Sequence, residues 1–81
     1  MTLKILYFAG LREAIGTGAE DVGLPEGVWT VGALRDALGR MHPELLTTKN
    51  LRAAVNQKMV GMNAPVADGD EVAFFPPVTG G

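Results

Sequence analysis

The sequence ends in Pro76-Pro77-Val78-Thr79-Gly80-Gly81, and the one group on that stretch that can react is a carboxylate. A Gly81 α-carboxylate has an ordinary pKa of about 3.3 to 3.7, so it is ionised at neutral pH and is a poor electrophile. Activation with ATP from outside would give an acyl-adenylate. A sulfur donor would then leave a thiocarboxylate, whereas an amine would leave an amide, and the residues alone leave both outcomes open. Gly80 and Gly81 have no side chains, so this tip can pass a channel that a Cβ would block. The two prolines favour an extended exit, and residues 76–81 reach on the order of 20 Å at roughly 3.3 to 3.6 Å each. A diglycine by itself is short and common. Here it gains weight from its place on a proline-stiffened arm that leaves an apolar strand directly.

Other chemistry is sparse. The chain has no Cys and no Ser, which removes thiol and serine nucleophiles, thiolate metal sites and redox chemistry. His42 is the lone histidine; with no acid partner beside it in the sequence, it reads as a surface residue at a helix end. Gly10, Gly16, Gly18, Gly23 and Gly27 form no phosphate loop, since no Gly-Lys-Thr or Gly-Lys-Ser follows them. No metal site is expected. The net charge is -2 with 7 scattered Lys and Arg, which disfavours nucleic acid as a partner. Asp68, Asp70 and Glu71 form the local charge run, a polar turn or an acidic rim. Lys4 interrupts the first apolar run and no stretch reaches spanning length, so no membrane association is expected and the cytoplasm is the expected location.

The elements that would position the tail follow from periodicity. With 81 residues, 47% hydrophobic and 20% charged, the chain suffices for one core that needs neither disulfide nor metal. The expected division is a folded domain over 1–75 and a flexible tail over 76–81. Leu3 to Phe8 reads as a strand and Leu11 to Ile15 as a short helix stopped by Gly16-Thr17-Gly18. A second strand is expected around Glu20 to Leu24, then a turn at Pro25-Glu26-Gly27. Thr30 is placed to cap the main helix, whose inner face carries Val31, Leu34, Leu38 and Met41, while Arg35, Asp36 and Arg40 face water. Trp29 before the cap and Leu34 within it have the spacing of a hydrophobic staple. His42-Pro43 ends this helix. Leu45 to Leu51 stays ambiguous between loop and helical turn. Ala53 to Asn56 and Lys58 to Val60 are short strand pieces, Asp68-Gly69-Asp70 is a turn, and Glu71 to Phe75 is a last strand that Pro76-Pro77 ends.

This order predicts an α+β fold with one main helix laid on one face of a mixed sheet. The first and last strands carry apolar residues on both faces, and one helix cannot cover both. A surplus apolar face marks a protein interface, with Phe8, Met59 or Val60, and Phe75 as its expected members, unless the segment around Leu45 folds over it.

Asp68-Gly69-Asp70-Glu71-Val72-Ala73-Phe74-Phe75-Pro76-Pro77-Val78-Thr79-Gly80-Gly81 closely resembles the C-terminal signature of the MoaD family, the small subunits of molybdopterin synthase. The resemblance extends to Leu6-Tyr7-Phe8-Ala9 with Leu11-Arg12-Glu13, to Thr30-Val31-Gly32-Ala33-Leu34 and to Ala54-Val55-Asn56-Gln57. It implies a β-grasp, ubiquitin-like fold. It also implies that Gly81 is adenylated by a partner resembling ubiquitin-activating enzymes (MoeB) and converted to a thiocarboxylate. The tail, with Pro76, Pro77, Val78 and Thr79 as contact residues, would then enter the large synthase subunit (MoaE). There sulfur passes to cyclic pyranopterin monophosphate to build the dithiolene of molybdopterin, in a heterotetramer of two large and two small subunits. By this resemblance the catalytic side chains belong to the large subunit, the chain binds no cofactor of its own, and ATP is used by the activating partner. Gly61-Met62-Asn63 departs from the family pattern, and Gly32 in the first turn of the main helix costs up to about 1 kcal/mol against alanine. A sulfur carrier for thiamine or transfer-RNA thiolation, a protein modifier that forms isopeptide bonds, and an interaction module with an inert tail are the competing readings.

Overall fold

In the computed structural model, which describes residues 2–24 and 26–77, apolar alternation becomes a five-stranded sheet. The elements are β1 (Thr2–Tyr7), α1 (Ala9–Ile15), β2 (Ala19–Gly23), α2 (Val31–Leu38), α3 (Glu44–Thr47), β3 (Arg52–Val55), β4 (Lys58–Val60) and β5 (Glu71–Phe75). The strand order is β2-β1-β5-β3-β4. The central β1–β5 pair is parallel, and the other pairs are antiparallel. A mixed sheet with its first and last strands side by side at the centre, grasping one principal helix, is a β-grasp.

Leu3, Ile5 and Tyr7 of β1 and Val72 and Phe74 of β5 point to one side, where they pack with Leu11, Val31, Leu34, Leu38 and Leu45. All three helices therefore lie on the same face. Leu45 is 1% exposed within this core, so the ambiguous segment supplies α3 to the covered face and leaves the other face open.

The start of α2 shows how local and tertiary signals combine. Thr30 is extended (φ -131°, ψ 161°) and its Oγ1 accepts from the Ala33 N–H at 3.1 Å, the expected cap. The two N–H groups that precede Ala33 donate instead to a loop: Val31 to the Ala64 carbonyl at 2.9 Å and Gly32 to the Met62 carbonyl at 2.8 Å. A Cβ on Gly32 would lie 3.2 Å from that same Met62 oxygen. The apparent cost of Gly32 is thus the condition for this close approach.

Three expectations are corrected here. Trp29 is 72% exposed and staples nothing onto the buried Leu34. The segment entering α2 is extended, so alternate side chains point opposite ways: Val28 goes inward and Trp29 outward, while the Trp29 carbonyl accepts from Val66 N at 3.0 Å. Met41 is 63% exposed because α2 ends at Leu38, before the proline could end it. Gly39 sits where a Cβ would lie 2.5 Å from Leu46 Cγ, so a glycine there lets α3 turn in tightly against the end of α2. His42 is the third. Its Nε2 lies 3.2 Å from both carboxylate oxygens of Glu20, and its ring meets Tyr7 edge-on at 5.6 Å. A residue read as a solvated helix end is instead a half-buried tie between the helix side and β2, because the sheet brings Glu20 to it from 22 positions away.

Candidate functional site: the open sheet face and the root of the tail

Register decides what the open face presents. Leu6 pairs with Ala19 and Ala73, Ala73 with Ala54, and Ala54 with Met59. Directly paired residues point to the same side, so Ala19, Leu6, Ala73, Ala54 and Met59 form one apolar row across all five strands. At 4.7 to 4.9 Å per strand step the row is roughly 19 Å long. On one flank lies a charged row, Asp21, Lys4 and Glu71, again register partners. On the other flank, where the chain runs into Pro76, lie Phe75 and its partner Arg52, with Phe8 where β1 ends.

Met59 is 56% and Phe8 47% exposed, large values for side chains of their type. Phe75, Pro76 and Pro77 are half-buried. Val60 is corrected: one position from Met59, it faces the opposite side and packs against the core. Leu6, Ala54, Ala73 and Arg52 were not expected from the sequence. Strand alternation could have named Leu6 and Ala73, but Ala54 joins the row, and Arg52 its flank, only through the β3–β5 register. Val78, Thr79, Gly80 and Gly81 lie outside the described residues, as does Pro25 of the expected turn.

The scaffold behind Phe75 is fixed by polar contacts. The chain reverses between β3 and β4 through Asn56 (φ 50°) and Gln57 (φ 70°), a two-residue hairpin with both central residues left-handed. Asn56 Nδ2 donates to Asp70 Oδ1 at 3.0 Å, and Glu71 N donates to Asn56 Oδ1 at 3.0 Å. Asp70 Oδ2 accepts from Ala67 N at 2.8 Å and Asp68 Oδ1 from Thr2 N at 2.7 Å. The acidic turn is thereby accounted for: two of its carboxylates satisfy backbone donors and hold the start of β5 against its neighbours. At the other end, Phe8 N donates to the Phe74 carbonyl at 3.2 Å, and the chain then turns through Ala9 at φ 54°. That left-handed turn costs an L-residue on the order of 1–2 kcal/mol and carries the chain into α1 directly after Phe8.

One side-chain cluster resembles acid–base machinery. Tyr7 Oη donates to Glu20 Oε1 at 3.2 Å, and Glu20 also faces His42. Burial first, then the Glu20 charge and the hydrogen bond to it, push the Tyr7 phenol well above its ordinary range. This cluster lies on the helix side of the sheet and its phenol stays protonated, so it ties β1, β2 and the segment after α2 together. Among the described residues there is no group of His, Asp and Glu able to hold a metal.

A β-grasp domain with this strand order and one apolar, open sheet face has the fold of the ubiquitin-like proteins. The family model for the ThiS family matches residues 5–81, and the chain belongs to that family. It is 46% identical to the molybdopterin synthase sulfur carrier subunit of Escherichia coli strain K12 over 82 residues, covering 98% of this chain and 99% of that one. Among solved structures, SAMP1 from Haloferax volcanii superposes with a TM-score of 0.81 at 31% identity, covering 100% of both chains. A protein-protein complex of subunits 1 and 2 of the molybdopterin-converting factor from Helicobacter pylori 26695 contains a chain with the same fold, at a TM-score of 0.68 and 22% identity over 100% of each chain.

Proposed function

We propose that this chain is the sulfur carrier subunit of a molybdopterin synthase. The observation that carries the reading is the 46% identity to the E. coli carrier over nearly the whole of both chains. The site supports it: Phe75 anchors the root of the arm in the sheet, and the apolar row beside it gives a partner a surface to grip while the arm is inserted.

In this reading a Gly81 carboxylate oxygen attacks the α-phosphorus of ATP on a MoeB-like adenylyltransferase and pyrophosphate leaves. A sulfur donor then displaces AMP, leaving a thiocarboxylate. The carrier next docks on the large subunit (MoaE), whose side chains catalyse attack of that sulfur on cyclic pyranopterin monophosphate; water then cleaves the acyl–sulfur bond, leaving the sulfur on the pterin and regenerating the carboxylate. The chain is a co-substrate with no bound cofactor, working in the cytoplasm and, with the large subunit, in a heterotetramer. Among the described residues no helix is long and apolar enough to cross a membrane.

The test is reconstitution. Thiocarboxylated carrier, large subunit and cyclic pyranopterin monophosphate should give molybdopterin in proportion to the carrier added. Thiocarboxylated carrier that binds the large subunit yet yields none would overturn the assignment to this cofactor.

A further inference from the structure

Arg52 is a cation on the tail-root flank of the apolar row. It leads β3 and pairs with Phe75, so its side chain leaves from the open side beside the root of the tail. Beyond it, one step on in the β3–β4 register, stands Gly61, where an added Cβ would meet nothing within 4 Å. Arg52 and Met59 line the same surface recess with Leu51 and Met62. The residue is exposed, and among the described residues no carboxylate lies within salt-bridge distance of it.

Seating a partner over Met59 and Phe75 removes water from this guanidinium as well. An arginine desolvated without an acceptor is costly, whereas a carboxylate can receive two of its N–H groups at once. The flank across the apolar row carries two acids against one cation, Asp21 and Glu71 against Lys4. Charge therefore runs from net negative at that flank to positive at the tail root, and a partner surface matches it in one orientation only.

We propose that Arg52 is a specificity-determining residue of the docking face, and that the partner seated there presents an Asp or Glu carboxylate to it at the mouth of the pocket that takes the tail. This deepens the functional reading above and rests on it for the identity of the partner. The pair would fix the register in which the tail enters and select among surfaces that offer only an apolar strip.

The test is the dissociation constant of the full-length carrier for the large subunit at low and at high salt. Arg52→Gln should weaken binding about tenfold at low salt and flatten its salt dependence, and Arg52→Glu should weaken it by a further tenfold or more. Met59→Ala should weaken binding while leaving the salt dependence as in the wild type. Both sites are exposed, so thermal unfolding should be unchanged in all three variants and serves as the folding control. Arg52→Gln and Arg52→Glu both binding within twofold of wild type at both salts would overturn the proposal while leaving the functional reading intact. Wild-type carrier that fails to bind the large subunit would overturn both.

Discussion

The two faces of the central sheet are made by the same strands from alternate residues, yet they have opposite characters. On the covered side Ile5, Val72 and Phe74 are fully buried beneath the helices. On the open side Leu6, Ala73, Phe75 and Met59 are comparably apolar but lie outside the core that the helices cover. A chain of this size has few residues to spare, and it places all three helices on one side and none on the other. The covered face makes the fold, and the open face is left for association.

Phe74 and Phe75 put that division on adjacent residues. Phe74→Ala should cost about 3–5 kcal/mol, a large part of the roughly 5–15 kcal/mol that keeps a domain folded. Phe75→Ala should cost about 1 kcal/mol, since the ring is only half-buried, yet weaken partner binding tenfold or more. Urea unfolding together with binding to the large subunit separates the two, and equal loss of stability in both variants would erase the distinction between the faces.

The polar tie on the covered face gives a smaller effect with a pH signature. Tyr7→Phe should cost about 1 kcal/mol at neutral pH by removing the hydrogen bond to Glu20. The fold holds the phenol protonated, whereas the unfolded chain releases this proton above about pH 10, so the tie contributes fully below that pH and is lost as pH rises. Wild-type stability should therefore fall above about pH 10 by up to about 1.4 kcal/mol per pH unit more steeply than that of Tyr7→Phe. Tyr7 is the 1 tyrosine in the chain, so the difference between the two unfolding curves reports it alone. Parallel curves would mean that the phenol is not held by the fold.

The smallest effect tests a region that belongs to neither face. Gln57 holds φ 70° in the hairpin turn without the freedom of glycine. Gln57→Gly should stabilise the chain by up to about 1 kcal/mol, read as a higher urea midpoint, with carrier activity unchanged. A lower midpoint would show that the side chain supports the turn in another way.

How much of this was legible in the sequence follows the same division. The strands, the Thr30 cap and the Asp68-Gly69-Asp70 turn could be read because each depends on neighbours in sequence. Phe8 and Phe75 could be placed on a surplus apolar face by alternation alone, whereas only the β3–β4 register separates Met59 from Val60. Trp29, Met41 and His42 were misread because a distant element decides each: the 62–66 loop seats the backbone before α2, the approach of α3 at Gly39 goes with an early end to α2, and β2 brings Glu20 to the imidazole. Arg52 was missed for a similar reason. Nothing in its local sequence marks it, and only the β3–β5 register sets it beside Phe75.

Whether the carboxylate of Gly81 carries sulfur, as proposed, is tested most directly by intact mass spectrometry. The chain is incubated with ATP, the adenylyltransferase and a sulfur donor, beside a Gly81 deletion whose thermal unfolding should match that of the full chain. The account predicts that the full chain gains the mass difference of one oxygen replaced by sulfur and that the deletion variant supplies no sulfur to the large subunit. An unchanged mass in the full chain with an active adenylyltransferase, or sulfur transfer from the deletion variant at the wild-type rate, would contradict it.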